Sequence, residues 1–213
     1  TSCIMVSDID IIKKEFMKEL ILASQSPRRK MLLEQVGVPF TVLSSDADET
    51  IDTNAEPAEI VQMLAARKAE QVARRLSGNP NAVVLAADTV VVLQNQVLGK
   101  PKDRNDAFNM LQKLQNKWHD VMTGIVLVDI STGERLTHVE TTRVRVRPLT
   151  SCAIWNYIDT GEPLDKAGAY GIQGLGALLV EKLEGCYFNV VGLPIYRVSV
   201  MLARVGIKTF LDR

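Results

Sequence analysis

The stretch Ala82-Val-Val-Leu-Ala-Ala-Asp88-Thr89-Val-Val-Val-Leu93 is the most apolar segment of the chain, and the fold is read outward from it. Its length and its β-branched residues predict a strand. The unbroken apolar run predicts burial on both faces. One carboxylate, Asp88, interrupts it. A buried, unpaired carboxylate is strongly unfavourable. Asp88 must therefore be ion-paired, protonated, metal-bound or sited at a cleft. A hydrophobic residue would serve a purely structural strand better. A carboxylate placed there can hold a divalent cation or take a proton from water.

Downstream, Gln94-Asn95-Gln96 turns the chain back through Val97-Leu98 to Gly99-Lys100-Pro101. Upstream, the pattern predicts a strand over 20–23, a helix over 27–36 stopped by Gly37, a strand over 40–43, and an amphipathic helix over 58–76 opened by Pro57. Beyond the turn come a helix over 104–115 capped by Asp103 and a hairpin of strands 120–130 and 136–147 around Ser131-Thr132-Gly133. A helix capped by Thr150 ends at Gly161, a Gly-rich loop fills 168–176, and a strand covers 177–183. A last helix is opened by Pro194 and closed by Gly206. Alternating helices and strands read as an α/β fold, with one mixed central sheet and flanking helices as the simplest assembly; a split into two lobes around a cleft is compatible with it, with no boundary visible in the sequence. No linker divides the chain: residues 1–19 read as a leader and 20–213 as a single domain.

Composition narrows the function. The 213 residues are 46% apolar and carry 25 Lys+Arg against 25 Asp+Glu, so no global field favours nucleic acid or an acidic membrane. A polyanion must instead be held by a local cluster of cations. Three separated cysteines (Cys3, Cys152, Cys186) make neither a disulfide framework nor a zinc site. Two histidines, His119 and His138, exclude a histidine-rich metal centre. No run approaches the roughly 18 apolar residues of a membrane span. Asp8 and Asp10 stand where a signal peptide would be basic. Together these features predict a cytoplasmic protein.

Further departures from pattern join Asp88. In Ser24-Gln25-Ser26-Pro27-Arg28-Arg29 a strand runs into a helix, so free amides, two hydroxyls and two guanidinium groups meet at one point. That arrangement suits phosphate binding; the alternative is a capped helix carrying basic surface residues. Lys68 lies four residues from both Leu64 and Val72, on the apolar stripe of its helix. It either snorkels to the rim or meets an anion. In Asp165-Lys-Ala-Gly-Ala-Tyr-Gly-Ile-Gln173-Gly174 the glycines allow close approach of a ligand. The Gln173 amide, donor and acceptor at once, suits a nucleobase edge. Glu49 could complete a metal site with Asp88 or stand in a solvated loop. Lys100 could be a phosphate contact or a hairpin end. Arg143, Arg145 and Arg147 read as the exposed face of a strand, and Trp118 and Trp155 as packing residues. Cations for phosphate, carboxylates for a metal or a base, and an amide for a base edge suit metal-assisted hydrolysis of a phosphoanhydride. The P-loop signature is absent.

Four stretches in order, Leu22-Ala-Ser-Gln-Ser-Pro-Arg-Arg29, Ala87-Asp-Thr89, Leu98-Gly-Lys-Pro101 and Asp165 to Gly174, with Gly192-Leu-Pro194 after them, resemble the Maf family of nucleoside triphosphate pyrophosphatases. The resemblance spans about residues 20–208. It implies a two-lobed fold related to the inosine triphosphate pyrophosphatases. It also implies hydrolysis of a nucleoside triphosphate to the monophosphate and pyrophosphate with Mg²⁺ or Mn²⁺, and a homodimer. Arg28, Thr89 and Gln173 are similar to the branch acting on dTTP and UTP; modified pyrimidine nucleotides fit equally. On both readings, Asp88, Lys68, Lys100 and Arg29 are the catalytic candidates. Ser24, Ser26, Arg28, Thr89 and Gln173 join Arg29, Lys68 and Lys100 around the substrate, and Asp88 with Glu49 holds the metal. The competing expectation is a nucleotide-binding regulator of cell division without turnover.

Overall fold

The computed structural model describes residues 18–50 and 55–212. Most of the stretch read as a leader, including Cys3, lies outside the described residues. The central strand β3 (Ala82–Leu93) spans the whole of the decisive apolar run. It forms because nothing in that run favours a turn before Gln94. There Gln94 and Asn95 both take positive φ (51° and 65°). This two-residue turn matches the twist of a hairpin, so β4 (Gln96–Leu98) starts one residue earlier than the sequence suggested.

Around β3 lie β1 (Glu19–Leu22), β2 (Thr41–Val42), β5 (Trp118–Asp129), β6 (Arg135–Val146) and β7 (Val180–Glu184). The sheet order is β2-β1-β3-β5-β6-β7, with β4 also on β3. β1 and β2 run parallel to their neighbours and the remaining pairings are antiparallel, so the sheet is mixed as expected. β5 pairs with β3 from Val83 through Val92 along one edge. On the other edge β1 reaches only Leu85 and β4 begins only at Val91. Between them no described strand covers residues 86–90. Asp88 sits in this gap.

The helices are α1 (Pro27–Gln35), α2 (Pro57–Arg75), α3 (Arg104–Leu114), α4 (Ser151–Asp159), α5 (Tyr187–Val191) and α6 (Ile195–Arg204). Alternation along β3 sorts what they cover. Ala82, Val84 and Ala86 pack with Ala65, Ala69 and Val72 of α2. Val83, Leu85 and Ala87 pack with Leu32 and Leu33 of α1 and Val198 and Leu202 of α6. Further along that second face, Val91 and Leu93 belong to a different cluster, with Leu111 of α3 and Ile154 and Ile158 of α4. Each fully buried aliphatic side chain contributes about 1.5–3 kcal/mol. The two clusters on one face are the two lobes, and they part at Thr89.

Most boundaries fall within two residues of the sequence reading. Asp103 and Thr150 cap α3 and α4 through their side chains, accepting from Asp106 N (2.8 Å) and Ala153 N (3.2 Å). Ser26 holds the N-cap position of α1, but its hydroxyl makes no capping bond. Two elements differ from expectation. The strand expected from 177 begins at Val180, because Gly174–Leu179 is a 3₁₀ segment. The short helix α5 was not anticipated. Arg143 and Arg147 are exposed and Arg145 half-buried, while Val144 and Val146 are buried, which is the alternation expected of β6. Among the described residues no helix is long and apolar enough to cross a membrane.

Candidate active site

The gap in the β3 edge opens into a cleft of about 610 Å³. Ser24, Ser26, Arg28, Arg29, Glu49, Lys68, Asp88, Thr89, Lys100 and Gln173 all line it, so every site residue expected from the sequence is gathered in one place. Successive side chains on β3 point to opposite faces, so Asp88 and Thr89 furnish the cleft from two sides of the sheet.

Asp88 faces α2. Its Oδ1 lies 2.5 Å from Lys68 Nζ, and Glu49 Oε1 lies 2.7 Å from the same nitrogen. Of the two fates open to a lysine on an apolar stripe, Lys68 meets anions. The Lys68 hydrogen bond holds the Glu49 carboxyl below its ordinary value; desolvation opposes it, and Lys68, Lys100 and Arg29 add attraction. Gly124, opposite Asp88 on β5, permits this approach of α2. A Cβ there would lie 2.5 Å from the carbonyl oxygen of Val61.

Thr89 faces α1. Arg29 is 8% exposed, and its guanidinium is spread over the protein. Nε donates to Gly192 O (2.8 Å), Nη1 to Ser24 Oγ (3.2 Å) and Nη2 to Thr89 Oγ1 (3.0 Å). Burial pulls the Arg29 pKa down, and nearby Asp88 pulls it back up. Behind Thr89 the network continues through Thr123 Oγ1 at 2.9 Å, which donates to Asn189 O at 3.2 Å. Asn189 Nδ2 in turn donates to Val121 O and Thr142 Oγ1, both at 2.9 Å. Thus Asn189 fixes α5, and the segment ending α5 presents Gly192 O to Arg29. Two N–H groups of Arg29 have no partner among the described residues.

The remaining contacts shape the turn into α1 and the rim. Ser24 Oγ accepts from Ser26 N (3.2 Å) and shapes the turn into α1. Arg28 reaches across to Asp165 (3.1 Å). Lys100 is exposed beyond β4, and no described residue pairs with it. The glycine loop crosses β3 because Gly168, at φ 69°, sets its backbone on Val91, where a Cβ would lie 3.0 Å from both methyls. The Gln173 amide has no partner among the described residues.

Among the described residues no three His, Cys, Asp or Glu side chains gather as a metal cage. Asp88 and Glu49, however, converge on a single ammonium. Two carboxylates facing an open cleft fit Mg²⁺ or Mn²⁺, hard cations that commonly take one or two carboxylates and complete their shell with water and substrate phosphate.

Sequence reasoning missed Asn189, Glu162 and Tyr157. Asn189 lies in a five-residue helix too short to show a period. Glu162 follows Gly161 and precedes Pro163, so it looked like an ordinary turn residue.

The profile of the Maf-like protein family matches residues 19–205. The dTTP/UTP pyrophosphatase of Acetivibrio thermocellus is 50% identical over 90% of this chain and 98% of its own length. That of Halalkalibacterium halodurans is 53% identical over 91% and 99%. Among solved structures, the nucleoside-triphosphatase / dITP/XTP pyrophosphatase of Mycobacterium abscessus is similar at a TM-score of 0.42 and 14% identity, over 88% of this chain and 94% of that one. With the motifs of the cleft in register and a match across nearly the whole described chain, this protein belongs to the Maf family.

Proposed function

We propose that this protein hydrolyses nucleoside triphosphates, dTTP and UTP above others, to the monophosphate and pyrophosphate. One observation carries the reading: Asp88 and Glu49 meet at Lys68 on the wall of a cleft whose other walls bring Arg28, Arg29, Lys100 and the start of α1. Relatives about half identical over nearly their full length and named dTTP/UTP pyrophosphatases support the substrate class.

Asp88 orients a water molecule toward the α-phosphorus and accepts its proton as the P–O bond forms. Pyrophosphate leaves. Lys68, Lys100 and Arg28, with the α1 amides, stabilise the charge that develops on it. Arg29 keeps Ser24 and Thr89 in place and adds positive potential from behind. Asp88 and Glu49 would hold Mg²⁺ or Mn²⁺, which supplies charge neutralisation at the phosphate oxygens. Gln173 reads the imide edge of uracil or thymine, flanked by Arg28 and Thr89.

The test is pyrophosphate release from a panel of nucleoside triphosphates, with and without Mg²⁺, by wild type and Asp88→Asn. Release from UTP and dTTP by wild type, lost in the variant, is the expected result. Equal rates from the two proteins would remove Asp88 as the base. Nucleotide binding without release by wild type would favour the regulator instead.

A further inference from the structure

We propose that Glu162 and Tyr157 are positioning residues for base selection, acting by fixing the backbone of the loop that presents Gln173. The proposal rests on the reading of the cleft as a pyrimidine nucleotide site.

The Glu162 carboxylate accepts from the backbone N–H of Leu175 (2.9 Å) and Gly176 (2.8 Å). It also accepts from the Tyr157 hydroxyl (2.9 Å). The same hydroxyl accepts from the N–H of Gly171 (3.2 Å). One phenol–carboxylate pair therefore ties down both ends of the loop. Ile172, Gln173 and Gly174 are suspended between the ties. Glu162 is itself held, because Lys166 Nζ donates to its carbonyl oxygen (2.6 Å).

Steric fit shows how closely the loop closes on this pair. A Cβ at Gly176 would lie 2.2 Å from Gly171 O and 2.6 Å from the Tyr157 hydroxyl. Gly174 is at φ 65°, and a Cβ there would lie 2.6 Å from Glu162 Oε2. Neither position has room for a methyl group. The chemistry fixes the roles as well. Burial raises the Glu162 carboxyl, but the two amides, the phenol and Lys166 outweigh it and leave it below its ordinary value. Burial first, then Glu162, pushes the Tyr157 phenol up. At neutral pH the carboxylate is thus acceptor-only, and the phenol keeps its proton to donate.

Base reading by Gln173 needs such a frame. Rotating an amide by half a turn exchanges its donor and acceptor with almost no change of shape. One orientation complements uracil and the other complements cytosine. No described residue bonds to the Gln173 amide to fix its rotation, so what can favour one orientation is the distance and angle at which the loop backbone presents that amide to the base edge. A displacement near 1 Å can change rate by up to about 100-fold. Glu162 and Tyr157 precede Gln173 by 11 and 16 residues and share no helix with it; they act on it only through the loop.

The experiment measures kcat and KM for UTP and CTP by pyrophosphate release, with thermal melting alongside, in wild type, Glu162→Gln and Tyr157→Phe. Glu162→Gln keeps the size but sets an NH₂ against a loop amide. It is expected to lower the UTP-to-CTP ratio of kcat/KM by about tenfold or more, mainly through a higher KM for UTP. Tyr157→Phe leaves two of the three ties on Glu162 and should shift the ratio in the same direction by less. A purely structural role would lower the melting temperature and leave the ratio alone. That result in the folded variants overturns the proposal. If Glu162→Gln does not fold, Tyr157→Phe decides by the same criterion. A wild type that releases no pyrophosphate, or does not prefer UTP to CTP, fails at the earlier step and takes the proposal with it. A selective wild type with unaltered variants sinks the positioning role alone.

Discussion

On the α2 side of β3, two carboxylates share one ammonium at the cleft wall. One residue further on, the α1 side holds a network of a guanidinium, hydroxyls, an amide and backbone carbonyls, with no ion pair among the described residues. The first side is built on charge at the cleft wall, with Lys68 and Asp88 only 12% and 14% exposed and Glu49 59% exposed. The second is built on groups sealed in the protein, with Thr123, Thr142 and Asn189 fully buried. Charges that face an opening remain available to a ligand. Buried polar groups that satisfy one another define a shape. On the proposed function, the difference divides the strand into a face for chemistry and a face for rigidity.

The sharpest way to break the contrast is Asp88→Asn. It keeps the size of the side chain and removes its basicity. Turnover should fall by about 10²–10⁴-fold with little change in melting temperature. On the other face, Thr89→Val should do the reverse. It deprives Arg29 Nη2 and Thr123 of their partner and should cost about 1–3 kcal/mol in chemical denaturation, with a rate change under about tenfold. If Thr89→Val matched Asp88→Asn in rate loss, the division between the faces would not stand.

A third substitution tests whether α2 delivers Lys68. Gly124→Ala drives a methyl group into the Val61 carbonyl and must push the helix away. Stability should drop by about 1–3 kcal/mol, and turnover should drop with it.

His119 offers a comparison outside both networks. It is buried, with Nε2 2.7 Å from the Tyr170 hydroxyl, and burial lowers its pKa to about 4. Between that value and the ordinary 6.5 the unfolded chain holds the extra proton, so stability rises with pH across this window and is lost as pH falls through it. The loss should be on the order of 3 kcal/mol. It should be missing from the denaturation profile of His119→Phe. The smallest effect is expected from Arg143→Ala, on the exposed face of β6. It stacks on Trp118 at 4.8 Å and pairs with Glu184, yet the change should stay within about 0.5 kcal/mol and leave turnover unaltered.

The parts of the fold that were legible in sequence are those where one periodicity rules over many residues. β3 was readable end to end because its apolar run meets a turn at Gln94. The Lys68 position was readable as a break in the α2 stripe, but its partners were not, since they come from a strand and a loop distant in the chain. Arg29 was readable as a cation at a helix start. That it faces inward, toward Thr89 and Gly192, depends on α5, which the sequence does not announce. Ala177 to Leu179 looked like strand by composition. The structure keeps them in a 3₁₀ turn because Glu162 captures the amides of Leu175 and Gly176 just before them.

The stretch of β3 between Leu85 and Val91 that no described strand covers on one edge has a further consequence. An unsatisfied strand edge invites a foreign chain to add itself, which is how sheets aggregate. Here the opening is only five residues long and is stopped at each end by the protein's own strands, β1 and β4. An intruding peptide would find too few backbone partners to dock and no way to continue in either direction. The protein can therefore interrupt its sheet beside Asp88 without offering a long strand template to another chain.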